Sequence, residues 1–145
     1  MRIEHTTLIN APLERVWAVT LDVEGLPELS PTTMTRVRRL DEGDLRVGSR
    51  TRIKQPGQRE RVWTVEEVTA PTRFVWSTRL GPLAIRATHL LAAERDGGTR
   101  NTLVIDLLGP GARLLGALLR RTFASVLATE NAGFKRVSES AAADH

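Results

Sequence analysis

Hydrophobic and polar residues alternate with a period of two along most of the chain, which is typical of strands with one buried face. The first such segment is 2–9. Six more follow, separated by short turns rich in glycine, proline and aspartate, so they predict an antiparallel meander that the first strand joins at an edge. Their ranges are 32–40, 48–55, 60–68, 72–80, 83–94 and 99–108.

Three stretches have helical features instead. Residues 10–22 predict a short helix, because Asn10 can cap it and Pro12 suits its first turn. Residues 23–31 allow only one more short helix, since prolines interrupt it. Residues 112–138 predict a long helix, and it is the only element long enough to cover a seven-stranded sheet. We therefore expect it to pack on the sheet rather than to lie on a membrane.

The helical projection of this long segment has one apolar sector, roughly 80° wide. The sector contains Leu115, Leu119, Phe123, Val126, Gly133 and Val137. The opposite side is basic and is predicted to face solvent, and it contains Arg113, Arg120, Asn131 and Lys135. Glu130 falls inside the apolar sector, so we expect its carboxyl group either inside a pocket or at its mouth.

Composition and charge limit the classes of binding partner that we expect for this chain. The formal net charge is +4, and the arginines are spread along the chain, whereas nucleic-acid-binding proteins gather them on one face, so no nucleic-acid partner is expected. The start of the chain does not resemble a signal peptide, and no apolar run reaches about 18 residues, so we expect a cytoplasmic protein without membrane insertion. It is expected to be a monomer or a homodimer. Without cysteine or metal-ligand spacing of its histidines, neither a metal nor a cofactor is expected.

The element order and four stretches resemble the helix-grip fold of the START/Bet v 1-like superfamily, in particular its polyketide cyclase/dehydrase branch. The stretches are INAPLERVWAVTLDVEGLPEL, RVWTVEEVTAPTRFVW, GPLAIRATHLLAAERDGGTRNTLVIDLLG and ENAGFKRV. The resemblance implies an α+β fold in which a curved seven-stranded antiparallel sheet wraps around a long C-terminal helix, with two short helices after the first strand. It covers 1–138 as one ligand-binding domain, and 139–145 is expected to be a frayed tail.

This fold encloses a pocket between the concave sheet and the long helix, and strand parity predicts which side chains line it. From the strands these are Trp63, Val65, Glu67, Phe74, Trp76, Thr78, Asn101, Leu103 and Ile105, and from the helix Leu119, Phe123, Val126 and Glu130. On segment 83–94 the apolar set turns His89 inward and Arg86 outward, unless a bulge reverses the strand. Glu67 is expected either on the Trp63 face or in solvent at the strand end.

His89 and His5 are the candidate catalytic residues, because imidazole titrates near neutral pH and serves as a general base. Each is alternatively a hydrogen-bonded wall residue. The sequence thus predicts that an internal cavity binds a hydrophobic or aromatic small molecule, and the resemblance implies polyketide cyclase/dehydrase-like activity. Two alternatives stay open: a non-catalytic carrier or sensor of lipid or isoprenoid, and a protein-interaction module that uses the basic face of the long helix.

Overall fold

A curved antiparallel sheet forms the framework of the computed structural model, which describes residues 1–143. Its seven strands lie in the order β1-β7-β6-β5-β4-β3-β2, so the first strand joins at an edge beside the last. The strands are β1 (Arg2–Ile9), β2 (Arg36–Arg39), β3 (Arg50–Lys54), β4 (Arg61–Thr69), β5 (Arg73–Leu80), β6 (Leu83–Ala93) and β7 (Thr99–Leu108). The helix-grip fold expected from the sequence is therefore confirmed.

Local sequence explains the connections and one irregularity of the sheet. Gly81 has φ +60° in the two-residue turn that joins β5 to β6, a conformation that glycine adopts without strain. In β4 the pairing with β5 shifts between Val65 and Glu67, which leaves Glu66 as an extra residue in a β-bulge. The bulge places Glu66 and Glu67 in succession on the outer face, and Val68 returns to the inner face against the core.

The helices cover the concave side of the sheet. They are α1 (Leu13–Leu21), a 3-10 turn (Val23–Gly25), α2 (Leu26–Leu29), α3 (Ala112–Leu118) and α4 (Arg120–Ala143). The single helix predicted over 112–138 is thus interrupted at Leu119, where φ is −104° and ψ is 10°. The two parts pack against different strands. The first part, α3, packs against β7 and Met1, whereas α4 packs mainly against β1.

The end of α4 differs from the expected boundary at residue 138, because the helix is continuous to Ala143. Glu139 accepts hydrogen bonds from the Asn10 backbone N–H at 2.8 Å and from Lys135 at 2.6 Å, and the first of these attaches the helix to the connection between β1 and α1. The predicted frayed tail is therefore helical over 139–143. Residues 144 and 145 lie outside the described part of the chain.

The second half of α4 is buried on a wider arc than the helical projection predicts. Asn131, which we expected to face solvent, is 0% exposed, and it shares its buried flank with Leu127, Phe134 and Ser138. The reason is that this half packs against β1 on one side and against α1 and α2 on the other. At Gly133 the helix approaches α2 so closely that a Cβ atom would collide with the Leu29 carbonyl oxygen.

Arginines on the outer face of the sheet pair with acidic residues on neighbouring strands. Arg2 bonds to Asp106 at 3.0 Å, and Arg86 bonds to Glu66 at 3.0 Å. Such exposed pairs each contribute little stability, at most about 1 kcal/mol, but they neutralise much of the basic charge of this surface. Within residues 1–143, no helix is both long enough and apolar enough to cross a membrane.

Candidate functional site

A cavity of about 410 Å³ lies between the concave face of the sheet and α4. Its volume is within the range of roughly 300–1,000 Å³ that small-molecule sites occupy. Strands β3 to β7 supply one wall, and α4, mainly its first half, supplies most of the other. The walls are mostly apolar, because alternate residues of each strand face the helix and most of them are aliphatic or aromatic.

Two tryptophans form the broadest surface of this cavity. Trp63 of β4 and Trp76 of β5 have ring centroids 5.5 Å apart with planes tilted by 45°. The Trp63 indole N–H is buried and has no hydrogen-bond partner within the described residues, although a buried indole N–H usually has one. A ligand with an acceptor atom would satisfy this donor, and its apolar part would lie against the rings.

His89 of β6 lines the cavity and lies between two phenylalanines. Its ring makes edge contacts with Phe74 and Phe134, each at 5.6 Å between centroids. Burial lowers the pKa of His89 from 6.5 to about 4, so the imidazole is neutral at pH 7. Its Nδ1 atom is buried and lacks a partner among the described residues. The ring therefore offers a neutral hydrogen-bonding group and is a weak base.

Glu130 carries the carboxyl group of the cavity. It lies one turn beyond Val126 on α4, and both side chains line the hollow. Burial raises its pKa from 4.5 to about 7, and the Thr33 hydroxyl, which donates to its Oε1 at 3.4 Å, opposes that rise. Both protonation states are thus populated near neutral pH, which suits a general acid or base.

The cavity has a polar rim at its β3–β4 end. This rim was not predicted from the sequence. Gln55 and Gln58 of the connecting loop and Arg61 of β4 contribute to the lining there. Arg61 donates to the Arg79 carbonyl oxygen at 3.3 Å, and its Nε atom is buried without a partner in the described residues. The cavity therefore combines an apolar body with hydrogen-bond donors at one end.

The structure brings nine of the fifteen candidate residues together around this cavity. They are Trp63, Trp76, His89, Leu103, Ile105, Leu119, Phe123, Val126 and Glu130. The orientation of β6 agrees with its parity, because His89 faces inward and Arg86 bonds to Glu66 on the outer face. Six other candidates do not line the hollow, for reasons that differ along the sheet.

Glu67 is turned away from the cavity by the β4 bulge. The extra residue Glu66 reverses the alternation, so Glu67 lies on the outer face and bonds to Arg73 at 3.1 Å and to Thr69 at 2.9 Å. The interpretation that places Glu67 on the Trp63 face is therefore wrong. The bulge has no clear signal in the sequence, because both adjacent glutamates are compatible with an exposed strand position.

Val65, Phe74 and Thr78 do face inward, but they are covered by other protein atoms. Phe74 is fully buried behind the rings of Trp76 and His89, at 5.2 Å and 5.6 Å between centroids. The Thr78 hydroxyl donates to the Val62 carbonyl oxygen at 2.8 Å. Parity predicts the face of a strand correctly here, but it does not give the position along the strand where the cavity ends.

Asn101 and His5 belong to a separate polar cluster with Asn131. The Asn101 amide donates to Asn131 Oδ1 at 2.8 Å, and the Asn131 amide lies 3.0 Å from His5 Nδ1. None of the three lines the cavity, because the second half of α4 covers β1 and β7 at this point. The candidate catalytic role of His5 is not compatible with this position, and the cluster instead joins the helix to the sheet.

Several lining residues were missed by the sequence analysis. Leu127 and Phe134 are apolar residues spaced by seven on α4, whereas Ile85 and Ala87 belong to the apolar set of β6 that the sequence already turns inward with His89. Leu26 and Met34 line the cavity from α2 and the following loop, for which no periodic signal exists. These positions depend on how the loop folds over the sheet.

Comparisons with known proteins agree with this fold. The profile of a family described as polyketide cyclase/dehydrase and lipid transport matches residues 1–139. No curated protein matches the chain significantly.

Solved structures with the same fold include three that are informative. TTHA0849 from Thermus thermophilus has a TM-score of 0.78 at 19% identity, with 97% of this chain and 99% of that one covered. The di-domain ARO/CYC BexL of the BE-7585A biosynthetic pathway has a TM-score of 0.71 at 18% identity, over 90% of this chain and 45% of that one. A norcoclaurine synthase from Thalictrum flavum, in complex with a transition-state analogue, has a TM-score of 0.74 at 14% identity, with 95% and 93% covered. At these identities the likeness shows the fold alone.

Proposed function

The chain belongs to the polyketide cyclase/dehydrase and lipid transport family, and from that premise we propose that its cavity binds a hydrophobic or aromatic small molecule. The observation that carries this proposal is the apolar hollow of about 410 Å³ walled by Trp63 and Trp76. Interiors of proteins are normally packed without voids of this size, so an internal space of these dimensions supports the presence of a ligand.

We further propose that Glu130 transfers protons in this cavity. A carboxylate in a water-poor site removes a proton from a carbon next to a carbonyl group, and the resulting carboxylic acid returns a proton to a hydroxyl that leaves as water. Glu130 fits this role better than His89, because its proton affinity matches neutral pH whereas the buried imidazole is a weak base. His89 and Trp63 would then position the ligand through their unpaired polar atoms.

The binding proposal is tested by filling the cavity. Ala87 lines the cavity and lies opposite Trp76 on β5 and Ile105 on β7, which also line it. Ala87→Leu therefore places a larger side chain in the cavity. We expect the affinity for the fluorescent apolar probe N-phenyl-1-naphthylamine to fall at least about tenfold, as overpacking penalties imply. Ala92→Leu lies on the exposed end of the same strand and should leave the affinity unchanged. Equal affinity of the two variants would contradict the proposal.

The catalytic proposal is tested with an aromatic ketone, 2-tetralone, in deuterated water. The wild-type protein should accelerate deuterium incorporation next to the carbonyl, and Glu130→Gln should abolish the acceleration while retaining ketone binding. His89→Asn should raise the ketone concentration needed for half-maximal exchange but keep the exchange at saturating ketone, because His89 positions the ligand and does not carry the proton. If the wild-type protein binds the ketone but does not accelerate exchange, the non-catalytic carrier of apolar molecules becomes the better description.

A further inference from the structure

The outward face of α3 carries leucines that the fold does not use. Leu114 is 69% exposed and Leu118 is 73% exposed, and their spacing of four places them side by side on the helix. The inward face of α3 already has its partners, since Ala112 and Leu115 pack against Leu83 and Leu107. The two outward leucines are therefore not explained by the packing of this domain.

Three arginines lie within three residues of this pair along the chain, one at the start of α3 and two at the start of α4. Arg113, Arg120 and Arg121 are exposed, and none of them forms an ion pair with any residue of the described chain. The arginines on the outer face of the sheet contrast with them, because Arg2 and Arg86 are neutralised by acidic neighbours. The junction of α3 and α4 thus presents two exposed leucines and three exposed arginines that are not neutralised within the described residues.

The same segment leads directly into the wall of the cavity. Leu119 follows α3, and its side chain lines the hollow together with Thr122 and Phe123. A surface in contact with α3 is consequently adjacent to this side of the cavity.

We propose that the surface at the junction of α3 and α4, formed by Leu114 and Leu118 with Arg113, Arg120 and Arg121, docks on the surface of a membrane that contains anionic lipids. Exposed leucines enter the boundary between headgroups and acyl chains, and arginines bind phosphate and carboxylate groups with bidentate geometry. This docking does not depend on what the cavity binds.

Charge and area disfavour a second copy of the chain as the occupant. A symmetric dimer through this face would bring unneutralised arginines close to one another, which costs free energy. Two leucines also provide far less apolar area than the roughly 1,200–2,000 Å² that stable interfaces bury. An anionic lipid surface satisfies both the leucines and the arginines.

The test is sedimentation of the whole protein with phosphatidylcholine vesicles that contain or lack phosphatidylserine. We expect binding only to the vesicles with phosphatidylserine, weakening as sodium chloride is added. Arg113→Gln/Arg120→Gln/Arg121→Gln should weaken binding roughly 100-fold, because each cation near an anionic surface contributes about fivefold. Leu114→Ser/Leu118→Ser should weaken it at least about tenfold through the lost apolar burial.

Matched controls carry the same chemical changes elsewhere on the surface. Arg38→Gln/Arg59→Gln/Arg95→Gln removes the same charge from exposed arginines outside α3. Leu8→Ser/Val47→Ser removes side chains that are 57% and 67% exposed. Both controls should keep vesicle binding within about twofold of the wild-type protein, because screening confines the effect of a charge to roughly a nanometre.

Three outcomes would overturn the proposal. The wild-type protein fails to bind phosphatidylserine vesicles; or the controls lose as much binding as the α3 variants; or light scattering shows a dimer that Leu114→Ser/Leu118→Ser dissociates, which assigns the face to a second copy. Far-ultraviolet circular dichroism verifies that each variant is folded. Binding of N-phenyl-1-naphthylamine, measured without vesicles, reports on the cavity separately, so failure of docking is distinguishable from failure of the proposed function.

Discussion

The two halves of α4 perform different tasks although they belong to one continuous helix. Phe123, Val126 and Glu130 in the first half face a hollow, and the polar atoms of the opposite wall remain partly unpaired. In the second half, Asn131 bonds to both Asn101 and His5, and Gly133 contacts α2 without space for a Cβ atom. The difference shows that the second half holds the helix in place so that the first half can leave an empty space beneath it.

Replacing one phenylalanine in each half of α4 by alanine should give the largest difference in the free energy of unfolding. Phe134→Ala should lower the free energy of unfolding by about 4 kcal/mol, because the ring is fully buried and contacts His89. Phe123→Ala should lower it by only about 1 kcal/mol, because that ring is only partly buried, although both rings border the cavity. Urea denaturation followed by tryptophan fluorescence measures both values, and similar losses would show that the cavity half is as tightly packed as the other.

Removing the amide of Asn131 tests the attachment of the second half. Asn131→Ala leaves the buried Asn101 amide without its partner and should cost about 3 kcal/mol in urea denaturation. The double variant Asn101→Ala/Asn131→Ala should cost clearly less than the sum of the single variants, since it removes both members of one interaction. Additive losses would mean that the two amides do not stabilise each other.

The smallest effect concerns the pH dependence of stability, in which the two ionisable groups of the cavity oppose each other. Glu130 is neutral in the folded protein up to about pH 7, so its contribution is complete below 4.5 and is lost as the pH rises through 7. His89 is neutral down to about pH 4, so its contribution is complete above 6.5 and is lost as the pH falls through 4. Between pH 4.5 and 6.5 the two slopes cancel.

Single variants should separate these two slopes. Glu130→Gln removes the falling contribution, so stability should increase with pH by roughly 1 kcal/mol per unit between 4.5 and 6.5. His89→Asn removes the rising contribution, so stability should decrease with pH by a similar amount over the same range. Urea denaturation at a series of pH values measures both, and unchanged slopes in either variant would show that the group is not buried in its neutral form.

The sequence predicts the strands well because their alternation is regular and their turns contain glycine and proline. Trp76, Leu103 and Ile105 lie where parity places them, since β5 and β7 pair without interruption. Parity gives the wrong face for Glu67, because the bulge inserts one residue before it and the local sequence does not predict a bulge there. Which of the inward residues reach the cavity was not predictable, because that depends on where the helix crosses the sheet.

The orientation of the long helix was predictable only over its first half. Leu119, Phe123 and Val126 face the cavity as the apolar sector predicts. Asn131 was assigned to solvent because a polar residue outside that sector is normally exposed. Its neighbours Leu127 and Phe134, at four residues before and three after, form a second apolar flank, and that spacing was the available sign that Asn131 is buried.

The bulge in β4 also bears on how sequences of this family should be aligned. Glu66 has no partner on β5. A chain that lacked this residue would therefore still direct Val65 and Val68 toward the interior and Glu67 toward Arg73 on the outer face. A one-residue difference in the length of this strand would therefore leave the same side chains on the inner and outer faces of the sheet. An alignment that allows no gap there would equate an interior valine of one relative with a surface glutamate of another.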